Sequence, residues 1–277
     1  MAYVIQNDKI IVSDDFFTPK DTLECGQIFR FKPLDGGGYE VFSLDKYAVI
    51  LPTKIGWEIK SDDTDYFVGF FDLDKNYREI ADRLSAVSPL MKNAVDYGKG
   101  IRILKQDLCE TIISFIISAN NNIKRIKGII ERLCEAKGKK TKYGYAFPSV
   151  EVLAQCDKEF FEQIGAGYRA PYLKQTSQIL ANGFDFCGLN AADTVSARKL
   201  LLSLKGVGGK VADCILLFGM GRGDVFPVDT WIKKVYHSHF ESGLKDDKIA
   251  EFFVNKFGDL SGFAQQYLFY FSRTMDK

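Results

Sequence analysis

The chain has 277 residues, 46% hydrophobic and 26% charged, with a formal net charge of +1, which places it among soluble globular proteins long enough to bury a core in one or two lobes. The near-neutral balance excludes a diffuse, histone-like mode of nucleic-acid binding, since such proteins carry a broadly basic surface. No run approaches the ~18 consecutive apolar residues of a membrane helix, and the opening Met1–Asp8 lacks the layout of a secretory signal, so an intracellular protein is expected.

In chain order, residues 3–5, 9–12, 27–32, 39–44, 47–51 and 57–60 read as short strands with period-two patterning. Asp35-Gly36-Gly37-Gly38 and Leu44-Asp45-Lys46-Tyr47 supply tight connections between them. From Tyr66 the period lengthens, and Tyr77, Ile80, Ala81 and Leu84 mark one face of a helix that ends before Ser88-Pro89. Helices are then expected over 108–118, 123–137, 150–156, 158–163, 170–182, 195–204, 209–218, 230–236, 246–257 and 262–273. The expected architecture is α+β: an antiparallel sheet lobe with a flanking helix over residues 1–95, then a helical lobe over 96–277.

Between Asn121 and Tyr143 lie Lys124, Arg125, Lys127, Arg132, Lys137, Lys139, Lys140 and Lys142, against Glu131 and Glu135. This run reads either as a solvated helix face with a lysine-rich loop or as a local phosphate-facing patch. Cysteines are never closer than Cys134 and Cys156, so no Cys-x-x-Cys pair exists for zinc, an iron–sulfur cluster or redox exchange. His237 and His239 are badly spaced for a metal site. These spacings suggest no metal site.

The chemistry concentrates in Leu204-Lys205-Gly206-Val207-Gly208-Gly209-Lys210-Val211-Ala212-Asp213, which sits between two apolar-periodic helices. Gly206 and Gly208 give the sharp turn of a helix-hairpin-helix over about 196–220, exposing successive backbone N–H groups to a phosphate oxygen. Lys210 falls in the first turn of the second helix, where the positive end of the macrodipole disfavours an ammonium ion and favours an amine nucleophile. Cys214 shares its helix face at i+4. From these residues alone, a solvated lysine above a core cysteine is the favoured description.

Nineteen residues on, Val225-Phe226-Pro227-Val228-Asp229-Thr230-Trp231 places Asp229 at a helix N-cap. A carboxylate fixed there is an ordinary cap, and also the group that stabilises an oxocarbenium-like state during glycosidic cleavage. The hairpin lysine followed at this distance by Pro-Val-Asp resembles the signature of base-excision glycosylases of the helix-hairpin-helix superfamily, and within it the 8-oxoguanine DNA glycosylase/lyase family, over nearly the whole chain. The resemblance implies a TATA-binding-protein-like sheet before the helical lobe, and no metal or organic cofactor in the chemistry. It also implies excision of 8-oxoguanine from duplex DNA, preferably opposite cytosine, followed by β-elimination through a lysine Schiff base.

Further implications follow from the resemblance, residue by residue. Lys210 matches the nucleophile, Asp229 the catalytic carboxylate and Cys214 the thiol used in base discrimination. In Glu24-Cys25-Gly26-Gln27-Ile28-Phe29-Arg30-Phe31, Gly26 matches the glycine whose carbonyl accepts the N7 hydrogen found only in the lesion; read without the family, Gly26 is a bulge glycine in an edge strand. Gln265 and Phe269 match the glutamine that reads the Watson–Crick edge and the ring that stacks on the base. Asn120 and Arg125, in Ser118–Arg125, and Tyr168 and Arg169, in Gly165–Arg169, match the elements that fill the duplex and read the estranged cytosine; the bland reading is a helix cap and loop.

Trp231 stands where eukaryotic relatives usually have histidine, and Pro171 where a basic residue is common. The implied partner is double-stranded DNA containing oxidised guanine, bound by a monomer in the cytoplasm or nucleoid of a bacterium or the nucleus of a eukaryote. Another glycosylase specificity on the same scaffold, or a non-catalytic DNA structure-binding module, remains open on sequence alone.

Overall fold

The computed structural model describes residues 3–240 and 243–275. Six strands, β1 (Tyr3–Gln6), β2 (Lys9–Val12), β3 (Phe31–Pro33), β4 (Tyr39–Ser43), β5 (Lys46–Thr53) and β6 (Gly56–Ser61), form one antiparallel sheet in the order β1-β2-β6-β5-β4-β3. Asn7 and Asp8 both take positive φ, 48° and 59°, the backbone a two-residue hairpin needs between right-twisted strands. Alternation then sorts the faces: Ile10, Val12, Val41, Ala48, Ile50 and Ile59 are fully buried in a cluster with Phe67, Phe70 and Phe71.

Helices α1 (Pro19–Glu24), α2 (Thr64–Phe70), α3 (Tyr77–Ser85) and α4 (Pro89–Tyr97) accompany the sheet. Then come α5 (Leu108–Ser118), α6 (Ile123–Lys137), α7 (Val150–Ala154), α8 (Lys158–Gln163), α9 (Ala170–Ala181), α10 (Phe186–Ala191), α11 (Thr194–Leu202), α12 (Gly209–Met220), α13 (Thr230–His239), α14 (Ile249–Phe257) and α15 (Ser261–Met275). The order is the expected α+β one. Faces of α3 and α4 join the large helical cluster with α5, α12 and α15. Among the described residues no helix is long and apolar enough to cross a membrane.

Two differences from the sequence reading have clear causes. The strand expected over 27–32 shrinks to Phe31–Pro33, because Gln27 satisfies the chain through its own side chain. Its Nε2 donates to the carbonyls of Thr22 (2.8 Å) and Arg102 (2.7 Å), and its Oε1 accepts from the Leu104 N–H (2.9 Å). Ser88-Pro89, read as a stop, also starts a helix: the Ser88 side chain caps α4 by accepting from the Met91 N–H at 3.2 Å, with proline in the first turn.

The lobes meet along an extended segment whose side chains alternate. Ile101 and Ile103 enter the helical cluster and Leu104 the sheet cluster, while Arg102 between them is fully buried. Its guanidinium donates to the carbonyls of Phe16 (3.0 Å), Asp72 (2.7 Å) and Lys75 (3.3 Å), pairs with the Asp14 carboxylate, and lies 4.4 Å from the Tyr77 ring centroid. Arg102→Met orphans those carbonyls inside the protein. It should lower the unfolding free energy by about 3 kcal/mol or more, read from urea melts; a loss below ~1 kcal/mol would show that water reaches the site.

Candidate active site

Helices α11 and α12 are joined by a turn in which Gly206 has φ +82°. A Cβ there would also stand 2.7 Å from the Tyr172 Cβ, so both conformation and space call for glycine. Gly208 is the exposed N-cap of α12, and nothing lies within 4 Å of where its Cβ would be, leaving the backbone N–H groups open to an anion. The hairpin is braced by Arg198, whose Nε donates to Asp213 Oδ1 at 2.6 Å, and by Thr176, whose hydroxyl donates to the Lys205 carbonyl at 2.7 Å. Arg198, Asp213, Thr176 and Tyr172 escaped the sequence reading; each acts across helices, and no local pattern marks it.

Lys210 is the second residue of α12 and half-buried, its Nζ 5.3 Å from the Phe115 ring centroid. Cys214, one turn along, is buried; burial pushes its thiol up to about 11, opposed by the charge of Lys210. Asp229 is the N-cap of α13, accepting from the Ile232 N–H at 2.9 Å. Burial raises its carboxyl above the ordinary aspartate range, while the Ile232 N–H, the charge of Lys210 and the Trp231 N–H pull it back. Asp229 in turn acts on the Cys214 thiol. The three groups therefore share one electrostatic environment, built from two helix N-termini.

A second cluster forms around Gly26. It is not a strand glycine: it follows α1 with φ +86°, and a Cβ there would lie 3.3 Å from Phe269 Cε1. Phe269 is half-buried on α15. Gln265, one turn earlier, is buried, and its Oε1 has no partner among the described residues. The structure thus brings Gly26, Gln265 and Phe269 to one side of α15.

A third cluster holds the other four residues. Asn120 is exposed in the left-handed region at φ +47°; Asn121 Nδ2 returns to the Ile117 carbonyl at 3.0 Å, and Asn122 caps α6. Tyr168 is 56% exposed, its hydroxyl donating to the Ala119 carbonyl at 3.0 Å. Arg125 is exposed and donates to the Gly165 carbonyl at 3.2 Å. Arg169, matched to a donor to the estranged cytosine, lies beneath the Asn120 turn. It is 2% exposed, and its guanidinium donates to the carbonyls of Ala119, Asn120 and Ala166, so it holds the Asn120 turn from beneath.

Pro171 sits in the first turn of α9, where a missing N–H costs nothing. The half-buried Trp231 ring stacks against the Lys234 ammonium, 4.6 Å from its centroid. The basic run along α6 is partly spent inside the protein: Lys127 donates to the Phe31 carbonyl at 2.7 Å. Lys127 also lines a cavity of about 350 Å³ with Phe31, Phe42, Cys134 and Tyr143. That cavity includes none of the clustered candidates and is not the site.

Residues 113–258 match the family described as HhH-GPD superfamily base excision DNA repair protein, and residues 9–112 match the 8-oxoguanine DNA glycosylase N-terminal domain. The chain belongs to the HhH-GPD superfamily. A probable N-glycosylase/DNA lyase of Methanothermobacter thermautotrophicus is 33% identical over 228 residues, covering 73% of this chain and 71% of the relative. An N-glycosylase/DNA lyase of Arabidopsis thaliana is 30% identical, covering 72% and 60% respectively. Among solved structures, the 8-oxoguanine glycosylase/lyase of Clostridium acetobutylicum, bound to double-stranded DNA with cytosine opposite 8-oxoguanine, superposes with a TM-score of 0.94 at 39% identity over all of both chains.

In this HhH-GPD protein the native Asp229 carboxyl holds its proton more tightly than an unfolded aspartate. Asp229 therefore withdraws stability as pH rises from below its ordinary 3.8 through the raised native value. Asp229→Asn keeps the cap and escapes that loss. Its urea midpoint should rise relative to wild type between acid and neutral pH; a difference that is flat with pH, or of opposite slope, would contradict the assignment.

Proposed function

We propose that Lys210 and Asp229 carry out the two chemical steps of an 8-oxoguanine DNA N-glycosylase/lyase acting in base excision repair. The observation that carries this reading is the convergence of Lys210, Cys214 and Asp229, where the lysine charge opposes burial at both of the other groups. The Lys210 amine attacks C1′ of an extruded deoxynucleoside, and the C1′–N9 bond breaks with its electron pair leaving on the base. Positive charge grows on the sugar in that step, and the Asp229 carboxylate lies ready to stabilise it. The amine then loses a proton and the C1′–O4′ bond breaks with protonation of O4′, giving a Schiff base that makes the C2′ proton acidic, so that its removal expels the 3′ phosphate and nicks the strand.

The base pocket reading assigns Gly26, Gln265, Phe269 and Cys214 to the lesion. N7 is a hydrogen-bond donor in 8-oxoguanine and an acceptor in guanine, so a carbonyl at Gly26 welcomes one and repels the other. The buried, unpartnered Oε1 of Gln265 suits the N–H donors on the Watson–Crick edge. Phe269 supplies a stacking face.

On the opposite strand, Asn120 and Tyr168 enter the gap left by the flipped base and Arg125 contacts the estranged cytosine. Arg169 keeps their turn in shape. Gly206 and Gly208 grip a phosphate. The acting unit is the monomer, working wherever the cell keeps its DNA.

Two measurements test this. Borohydride reduction on an 8-oxoguanine·cytosine duplex should trap a covalent adduct that vanishes in Lys210→Gln; an adduct of undiminished yield in the variant would remove Lys210 from the reaction. Asp229→Asn should slow excision by about 10²–10³ in single-turnover assays. Equal wild-type cleavage of 8-oxoguanine and undamaged guanine would sink the substrate assignment.

A further inference from the structure

We propose that Arg273 is a positioning residue for lesion discrimination, fixing the Gly26 turn and the Phe269 ring relative to one another; the inference rests on the base pocket proposed above. A glycine at φ +86° has no side chain with which to hold its own carbonyl, and glycine loses the most freedom on being fixed. Discrimination through one carbonyl hydrogen bond nevertheless needs that oxygen held within a few tenths of an ångström. Something around Gly26 must do the holding.

Downstream, Gln27 does so through its bonds to Thr22, Arg102 and Leu104. Upstream, the anchor is Arg273. It lies on α15 one turn beyond Phe269, and its Nη2 donates to the carbonyl of Glu24, the last residue of α1, at 2.8 Å. A helix C-terminus leaves such carbonyls unpaired and favours a cation there. The same guanidinium carbon lies 5.5 Å from the Phe269 ring centroid, and a Cβ on Gly26 would be 3.7 Å from Arg273 Nη1. One planar group therefore lies beside both the ring and the turn packed against it.

Nη1 is buried without an acceptor among the described residues. A guanidinium placed only for stability uses its fork on a carboxylate or on paired carbonyls, as Arg169 and Arg102 do here. Among the described residues Arg273 leaves part of its fork unused, and it keeps its charge beside Phe269. Its field also reaches the Cys25 thiol next to Gly26, which burial pushes up to about 12 and Arg273 draws down.

The test compares Arg273→Met, which keeps much of the bulk, and Arg273→Lys, which keeps the charge. Single-turnover excision of 8-oxoguanine opposite cytosine is measured beside β-elimination at a preformed abasic site, which needs no base in the pocket. Arg273→Met should slow excision by roughly tenfold and the abasic-site step by less than about twofold, with Arg273→Lys recovering part of the loss. Equal slowing of both steps, or of neither, would overturn the positioning role. If the wild type did not excise 8-oxoguanine at all, the pocket reading would fail and this inference with it, an outcome distinct from a wild type that excises and an Arg273→Met variant that keeps pace.

Discussion

The buried guanidinium of Arg102 governs the geometry of this molecule far beyond its own contacts. A fully buried cation is tolerated only where its donors are matched, and here they are matched by carbonyls from the Phe16 and Asp72–Lys75 stretches of the sheet lobe. Its own carbonyl receives the Gln27 side-chain amide. The turn carrying Gly26 is therefore hung from the same segment that joins the lobes. Loosening the junction would not merely destabilise the fold; it would blur the distance between Gly26 and the helix bearing Phe269.

Lys210 and Asp229, the pair proposed for the chemistry, meet helix termini in opposite ways. Lys210 stands in the first turn of α12 and Asp229 at the N-cap of α13, so the same dipole sign meets a cation in one case and an anion in the other. At Asp229 the field favours retention of charge on the carboxylate. Burial works against the carboxylate, and the raised Asp229 carboxyl shows which influence prevails. A half-buried acid that reduces stability while serving as a cap is the kind of tension found where chemistry, rather than folding, dictates the residue.

Most strands and the hairpin turn were legible in the sequence because each is written locally, whereas the pairing of Lys210 with Asp229 came from resemblance to a family signature. Period-two alternation names Ile10, Val12, Ile50 and Ile59 as inward-facing, and glycines at 206 and 208 can only mark a turn. What stayed hidden was written across distance. Gln27 replaces a strand by bonding to residues near 102, and nothing in its neighbours announces that. Arg198 and Asp213 read as ordinary helix-surface charges until the hairpin folds them together. Ser88-Pro89 carried both an ending and a beginning, and only the ending was read.

Arg169 shows why even a well-matched residue needs its surroundings. In the sequence it is one of two arginines near a run of asparagines, and a donor to a base is the natural reading. The fold buries it and commits it to the carbonyls of Ala119 and Asn120, which lie at the end of α5 where helix carbonyls lack partners. The arginine thereby adds to the bonds that close the end of α5, and it holds the carbonyl of Asn120, whose left-handed conformation asparagine accepts more readily than other side chains. Its ring partner Tyr168, 4.3 Å from the guanidinium carbon, bonds to the same Ala119 carbonyl. Tyr168 and the Asn120 turn are in this way tied to one guanidinium and one carbonyl, so a change in one is transmitted to the other.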